Sequence, residues 1–220
     1  MKLIDLFITV IVALSTSTYS QTVRGFAGFG YYRNTQFEKS AFVSIDGGLE
    51  FRAYKVLKPE IKVSYFLIAL QDNTTSDANG IETELLTRTV TASNISLSPK
   101  ICFGDDDETA HLQIIPMFNI TNVVAQGAFF ELNGDKTKFV KTDSDKYTDT
   151  RHSFGLGLGL LCDLSNETFQ SIAINLYYNN IEFGDAIANL KFKKGNLQTR
   201  QTLGFGIKFY FGFVKKKAID

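Results

Sequence analysis

Large apolar residues alternate with small or polar residues along several stretches of the chain, most clearly near its end. Within 199–213, every second residue from Leu203 onward is large and apolar, and glycine, lysine or tyrosine stands between. Successive side chains of a β-strand point to opposite faces, so this period of two predicts a strand with one apolar face. A soluble sandwich buries such a face, whereas a membrane barrel turns it toward lipid.

The same alternation predicts eight strands. We place them at 22–33, 40–54, 59–71, 85–103, 110–132, around 154–160, around 171–178, and at 199–213. The turns at 55–58, 104–109 and 164–168 are short, while the polar links at 72–84, 133–150 and 182–198 are long. An even strand number with short turns on one side and long loops on the other is typical of outer-membrane barrels. The sequence therefore predicts an all-β, eight-stranded antiparallel up-and-down transmembrane barrel over 21–213.

The fourth and fifth predicted strands are unusually long, and each changes character along its length. In the fourth strand a threonine-rich polar half precedes an apolar half of about nine residues, a length that crosses a bilayer when the strand is tilted. We expect the polar half to continue into water and to offer exposed edges for strand addition. Pro99 and Pro116 would each remove a ladder hydrogen bond, and we expect bulges to absorb them.

Composition narrows the function and the location. Lys and Arg balance Asp and Glu at 23 each, so no electrostatic argument favours nucleic acid. Residues 1–20 have a basic start, an apolar run and small residues at the end, which predicts a cleavable signal peptide. No later stretch is apolar enough for a membrane helix. The basic residues of 214–220 form a tail, which we place in the periplasm with the other terminus.

This set of features resembles the small outer-membrane β-barrel proteins, namely the OmpX and OmpA barrel group and the PorT-type barrels. The export signal, the eight-segment layout and the alternating final strand with its terminal aromatics carry the resemblance. It covers nearly all of the mature chain and implies an outer-membrane location and insertion by the barrel-assembly machinery. The predicted assembly signal comprises Phe209, Phe211 and Phe213, and either of the last two residues ends it.

Alternation assigns the faces of the predicted barrel. The residues predicted to face lipid are Leu156, Leu158, Leu160, Ile172, Ile174, Leu176, Phe205, Ile207 and Phe209. The predicted interior charges are Arg24, Asp46, Glu50, Arg52, Lys62, Lys100 and Lys208. An eight-stranded barrel is just wide enough inside for its side chains, and confined charges need partners. We therefore expect a plugged interior of paired charges, with strand glycines making room for long side chains.

Candidate chemistry is sparse, and the sequence predicts no catalytic residue, cofactor or metal. His152 and Ser153 are neighbours in a strand, so they point to opposite faces and cannot act as a pair. His111 is expected to be structural, and the acidic turn 105–108 lacks the spaced ligands of a calcium loop. Cys102 and Cys162 fall on opposite faces of separate strands, so no disulfide is expected.

The function predicted is that of a non-enzymatic, monomeric envelope protein embedded in outer-membrane lipid. Its loops 72–84 and 133–150 would meet an extracellular ligand or protein. Two alternatives stay open at this stage. One is a small-solute channel or transport accessory, and the other is a soluble, secreted binder of lipocalin type with its apolar side chains inward.

Overall fold

Nine antiparallel strands and one short helix form the part of the chain that the computed structural model describes. Those residues are 23–34, 41–54, 56–70, 72–104, 109–135, 137–164, 170–181, 183–191 and 201–212. The elements are β1 Val23–Asn34, β2 Ala41–Phe51, β3 Leu57–Ala69, β4 Asn73–Ser76, β5 Glu82–Phe103, β6 Ala110–Leu132, β7 Phe139–Asp163, β8 Ser171–Asn179, α1 Gly184–Ala188 and β9 Thr202–Gly212. The predicted signal peptide 1–20, the tail 214–220 and the acidic turn 105–108 lie outside the described residues.

The strands close into a ring. Each strand pairs with its sequence neighbours, β1 pairs with β9, and β3 pairs with β5 to complete the circle. The short β4 pairs only with β5, so it lies outside the ring and widens one edge. Closure leaves every ring strand with two partners over part of its length, which satisfies its backbone groups without water. The predicted eight-stranded antiparallel barrel is thereby confirmed.

Both described ends of the chain lie at one end of the ring. Arg24 pairs with Gly212, and Val23 pairs with Phe51 at the close of β2. The links β2–β3, β5–β6 and β7–β8 are at this same end, as the predicted layout requires. We call it the terminal end, and the other end the distal end.

The predicted loop at 133–150 is wrong over most of its length. Residues from Phe139 onward belong to β7, and the β6–β7 ladder continues to the pair Leu132–Phe139. Thr, Val and Tyr in this stretch favour extended backbone, and β6 supplies hydrogen-bond partners along one edge of it. Only a tight turn at 133–138 remains. Long sections of β5, β6 and β7 therefore rise above the rest of the ring at the distal end.

The three prolines of the chain lie side by side in the wall. Pro59 pairs with Pro99 across β3 and β5, and continuing the β5–β6 register places Pro116 opposite Pro99 on the other side. No bulge separates them, since the β5–β6 register is the same before and after this place. The expected bulges are therefore absent. Because Pro99 and Pro116 both lack an N–H, the missing donors coincide at one position of the ladder.

Candidate functional site: outer wall, interior and strand extension

The outer wall carries the residues that alternation assigned to lipid. Leu158, Leu176 and Phe205 are representative: their side chains point away from the ring and are 50%, 63% and 42% exposed. The other predicted members likewise point outward, with Ile172 half-buried and the rest exposed: Leu156, Leu160, Ile174, Ile207 and Phe209. Strands β1, β2, β3, β5 and β6 continue this surface with Phe29, Ile45, Val63, Ile95 and Leu112. The result is an apolar belt around the ring.

Above the belt, the two faces of β5 exchange character. From Ile95 to the terminal end, the outward residues are apolar, while the inward residue Asn94 and those after it are mostly polar. Toward the distal end the outward residue is Ser93 and the inward residue is Ala92. The strand alternation continues without interruption, so only the chemistry of the two faces changes. The outer surface of β5 is therefore polar above this point and apolar below it.

Neighbouring strands change at the same level. On β6 the outward residues pass from Ile120 to Asn122, and on β7 they pass from Phe154 to His152. The ladder pairs Ile95 with Ile120 and Ile120 with His152, so these changes form one line across three strands. Below the line the apolar section is about nine residues long, the length of a tilted transmembrane strand. We use the name strand extension for the parts of β5, β6 and β7 above this line, which are residues 82–94, 121–132 and 139–153.

Inside the ring at the terminal end, five charged side chains form what we call the charge cluster. Its members are Arg24, Glu50, Glu60, Lys100 and Lys208, all at most 7% exposed. Arg24 and Lys100 both donate to Glu50. Lys208 donates to Glu60, and Lys100 reaches Glu60 as well at 3.5 Å. Each carboxylate thus has at least two cationic donors, which is what buried charges require.

Tyr210 ties the charge cluster together. Its hydroxyl donates to Glu60 at 3.0 Å and accepts from Lys100 at 3.1 Å, and the Arg24 guanidinium lies 4.3 Å from its ring centre. The sequence reasoning missed both Tyr210 and Glu60 as members. Both could have been predicted to face inward from the alternation, because Glu60 is on the same strand face as Lys62 and Tyr210 is on the same strand face as Lys208.

Of the remaining predicted charges, Asp46 and Lys62 are buried beside the charge cluster, and Lys62 interacts electrostatically with Glu60 and Lys208. Asp46 is buried and accepts a hydrogen bond from Ser44 at 3.0 Å. Lys62 is buried with its ammonium 4.8 Å from the ring centre of Tyr177. Arg52 follows the last residue of β2 and is half-buried, so the structure does not bring it among the buried charges.

The distal half of the interior is mostly apolar, so the structure places paired charges in the terminal half and not throughout the predicted plug. Buried aromatic and aliphatic residues of the ring meet there, including Tyr32, Phe42, Phe66, Val90 and Tyr177. The rings of Tyr32 and Tyr177 stack at 6.2 Å. The apolar cluster begins below the boundary line, at Ile115 and Met117 of β6, and continues above it with Val123 and Ala125.

Helix α1 and its flanks fill the distal opening. Ile181, Phe183, Ile187 and Leu190 are each at most 3% exposed and join the apolar cluster. The Phe183 ring lies 5.5 Å from that of Phe42. We predicted 182–198 to be a long polar link and did not expect any part of it to be buried in the ring. Phe183 and Ile187 were the signal in the sequence that part of this link is buried.

Polar contacts hold the α1 region against β7. Arg151 pairs with Asp185 at 3.2 Å, and the backbone N–H of Lys191 donates to Asp145 at 2.8 Å. This backbone hydrogen bond, together with a second from Lys146, holds the pKa of Asp145 below its ordinary value of 3.8. The carboxylate therefore keeps its charge, and the bond, under ordinary conditions.

Inward-facing glycines make room mainly for tyrosine rings, rather than for long charged side chains as expected. A β-carbon on Gly206 would lie 2.8 Å from the Tyr177 ring, and one on Gly204 would overlap Tyr32. Such distances are shorter than van der Waals contact, so neither site has space for a larger residue. Gly28, beside Lys208, is the case that fits the expectation.

Within the described part of the chain, neither histidine is paired with a nucleophile. His152 lies on the outer surface against the Phe118 ring, whereas Ser153 is buried inside. His111 approaches Asp163 at 3.4 Å, and Asp163 accepts from Ser171 at 2.7 Å, so the carboxylate separates the serine from the imidazole. A general base must contact the nucleophile itself, which this order prevents.

Other chemistry is equally sparse in the described residues. They contain no group of three His, Cys, Asp or Glu positioned to hold a metal ion. Cys102 and Cys162 are both free thiols. No helix in the described chain has the length and apolarity that crossing a bilayer requires.

The predicted assembly signal is described only in part. Phe209 points outward, and Phe211 is half-buried with its ring 6.4 Å from that of Phe209. Phe213 lies outside the described residues.

The strand edges differ from the expectation for 85–103 and 110–132. β6 pairs on both sides along its length, and β5 pairs with β6 on one side and with β3 and β4 on the other. Their edges are therefore not exposed as predicted, because β7 extends along β6 and β4 pairs with the distal end of β5. Among the described residues, β8 pairs with β7 only from Gly155 onward, so the extended part of β7 has one edge without a strand partner.

Comparison with known proteins gives structural neighbours only. No protein-family model and no curated protein matches the chain. One neighbour is Ail, the attachment invasion locus protein of Yersinia pestis, which was solved with the heparin analogue sucrose octasulfate. Its sequence is 7% identical to this chain and its TM-score is 0.47. The match covers 88% of this chain and 99% of Ail. Neisserial surface protein A is 10% identical (TM-score 0.44; 88% and 97%), and a major outer membrane protein of Thermus thermophilus is 11% identical (TM-score 0.43; 86% and 99%). The solved structures that this chain resembles are thus outer-membrane β-barrel proteins.

Proposed function

We propose that this chain is an integral outer-membrane β-barrel that lacks enzymatic activity, has a closed interior and binds partners through its strand extension. The observation that carries the proposal is the exchange of apolar and polar faces at Ser93 and Ile95, repeated on β6 and β7. A chain surrounded by water throughout has no physical reason for this exchange. A hydrocarbon layer that ends at that level supplies one.

The apolar belt supports insertion into lipid over the lipocalin-type alternative. A soluble barrel would bury Leu158, Ile174 and Phe205 and expose its lysines. Here those three are 40% exposed or more, while Lys100 and Lys208 are buried. Soluble monomers rarely expose a contiguous apolar patch above a few hundred Å². A belt around an entire ring is much larger than that.

The filled interior supports a closed barrel over the channel alternative. The charge cluster occupies the terminal half, and the apolar cluster with the α1 region occupies the distal half. Eight strands leave an interior that side chains can fill. In planar bilayers we expect no steady single-channel current. A reproducible unitary conductance would refute the closed barrel and support the channel alternative.

The strand extension supports a binding role. In this orientation the termini are periplasmic, and the extension projects outside the cell with the link 72–84. The edge of β7 that has no strand partner among the described residues presents backbone donors and acceptors, onto which an extended segment of an extracellular protein would add as a strand. Protein reconstituted as a monomer should bind such a peptide through main-chain hydrogen bonds, detectable as protection of β7 amides from hydrogen exchange.

The membrane assignment has a direct experimental test. Expressed with its first twenty residues, the protein should fractionate with the outer membrane and change its gel mobility on heating. Protease added to intact cells should cleave the turn 133–138 and leave the belt strands protected. Recovery in the soluble periplasmic or secreted fraction without detergent would refute the assignment.

A further inference from the structure

The outer face of the strand extension carries a regular array of small hydroxyl and amide side chains. The register sets residues of β5, β6 and β7 in successive rows, such as Thr89 beside Gln126 beside Lys146. We call this array the outer patch. Its members are Thr87, Thr89, Thr91, Ser93, Asn122, Val124, Gln126, Ala128, Ser144, Lys146, Thr148 and Thr150. Most of them are threonine or serine, so the surface presents closely spaced donors and acceptors.

Charge is segregated between the two faces of the extension. The outer patch contains no carboxylate, whereas Asp145 and Asp149 of the same strand lie on its opposite face, beside Arg151 and the α1 region. Lys146 lies in the outer patch, and Lys141 lies just above it on the same side. The outer face is therefore positive as well as rich in hydrogen-bonding groups.

A concave site lies at the top of the outer patch. It is an open hollow of about 700 Å³, and its lining includes Thr87, Thr89, Gln126, Lys141, Ser144 and Lys146. The β6–β7 ladder shifts register between Phe129 and Phe130, beside the hollow, and a bulge of this kind bends a strand. Asp145 also borders the hollow, but its carboxylate accepts the backbone N–H groups of Lys146 and Lys191. The bond to Lys191 directs this carboxylate toward the α1 region, and Lys141 and Lys146 give the hollow a net positive charge.

The outer patch is continuous with the apolar belt. The row below Ser93 and Asn122 begins with Ile95 and Ile120, the first belt residues. Thr89 is six residues above Ile95, about 20 Å along the strand. If the belt contacts hydrocarbon, the outer patch lies in the layer immediately outside it, where the headgroups of the outer leaflet are. In an outer membrane that layer consists of phosphorylated saccharides.

We propose that the outer patch binds the phosphorylated saccharide headgroup of the glycolipid in which the barrel is embedded. Lys141 and Lys146 pair with phosphate as point charges, and the threonine and glutamine side chains bond to sugar hydroxyls. The twelve residues of the outer patch include no carboxylate, and the Asp145 carboxylate at the border of the hollow is hydrogen-bonded to the α1 region, so repulsion of an anionic headgroup is limited. This inference rests on the proposed membrane insertion and adds a specific lipid ligand to it.

The test compares glycolipid capture by matched charge variants. The protein is reconstituted into nanodiscs of phospholipid mixed with increasing fractions of purified lipopolysaccharide, and the lipopolysaccharide retained per folded barrel is measured. The variant Lys141→Glu with Lys146→Glu reverses the charge at the hollow. The control, Arg33→Glu with Lys138→Glu, makes the same change in net charge at exposed positions that do not line the hollow.

We expect the native protein to enrich lipopolysaccharide over its bulk fraction. The hollow variant should lose about tenfold in apparent affinity, and the control should change less than about twofold, since reversing two exposed contacts has an effect of this order. Enzymatically dephosphorylated lipopolysaccharide should bind the native protein as weakly as the intact form binds the hollow variant.

Three results would overturn the inference. One is equal retention by the hollow variant and the control, and another is undiminished binding of the dephosphorylated glycolipid. The third is tight binding of a soluble phosphorylated core saccharide without enrichment of the glycolipid in the discs, which would assign the hollow to a free ligand. Heat-modifiable mobility in phospholipid discs alone tests the barrel separately, so failure of the patch and failure of insertion are distinguishable.

Discussion

Replacing Lys100 with methionine tests the charge cluster at its centre. The Lys100 ammonium is fully buried and donates to Glu50, Glu60 and the Tyr210 hydroxyl, so it joins the two halves of the cluster. Methionine has a similar length and keeps the packing, but it removes the charge and all three hydrogen bonds.

The expected loss follows from what remains around the two carboxylates. Removing one partner of a buried ion pair costs about 3–5 kcal/mol when it leaves a charge uncompensated. Here Glu50 keeps Arg24, and Glu60 keeps Lys208, so neither carboxylate is isolated. We therefore expect Lys100→Met to lower the free energy of unfolding by about 3 kcal/mol, the lower end of that range.

Equilibrium urea unfolding in phospholipid vesicles measures this loss. Because the chain contains no tryptophan, the folded fraction is read from the difference in gel mobility between unheated and heated samples. Lys138→Met, at the exposed distal turn, is the control and should change stability by less than about 0.5 kcal/mol.

A double-mutant cycle with Glu50→Gln separates the interaction from other effects. If Lys100 and Glu50 interact as described, their coupling should exceed about 1 kcal/mol, because residues that share a buried network are not additive. A loss below about 1 kcal/mol in Lys100→Met, or additivity within about 0.5 kcal/mol, would refute the cluster as a stabilising element.

Three further predictions concern the wall, the interior and the α1 region. Leu158→Lys should cost about 2–4 kcal/mol in the same urea assay if this side chain lies near the bilayer midplane; a neutral effect would place it outside hydrocarbon. Gly204→Leu should destabilise the barrel by roughly 1–3 kcal/mol through overlap with Tyr32, and adding Tyr32→Ala should recover part of the loss. Asp145 has a folded-state pKa below its ordinary 3.8, so its contribution is complete above that value and disappears as the pH falls through the folded pKa. Hydrogen exchange at the Lys191 amide should accelerate over this acidic range relative to other amides, and Asp145→Asn should abolish that dependence.

The direction of each side chain in the wall was predictable from the sequence. Leu158 and Gly157 are neighbours in β7, so their side chains point to opposite faces of the strand. Once the apolar face is assigned to the outside, Leu158 points outward and Gly157 points inward. The same rule placed Arg24, Glu50 and Lys208 inside. The extra strand length of β7 was not predictable in this way, because the polar alternation of 139–150 is equally consistent with a solvated loop.

The partners inside the ring were not predictable. Tyr210 and Glu60 are separated by 150 residues, and Lys208 and Glu60 by 148. Alternation says that such side chains face inward but not at which level of the barrel they meet. That level depends on the register between strands and on ring closure through β3 and β5, which are long-range pairings.

The strand count, the antiparallel order and the two faces of the wall could all be read from the amino-acid order, because they depend on local alternation and on the spacing of turns. The division of the interior into a charged half and an apolar half became visible only in the folded barrel. The same is true of the entry of the α1 region into the distal opening and of the carboxylate-free face of the extension above the belt. These features depend on which strands become neighbours and where the ring closes, and no local stretch of residues encodes that geometry.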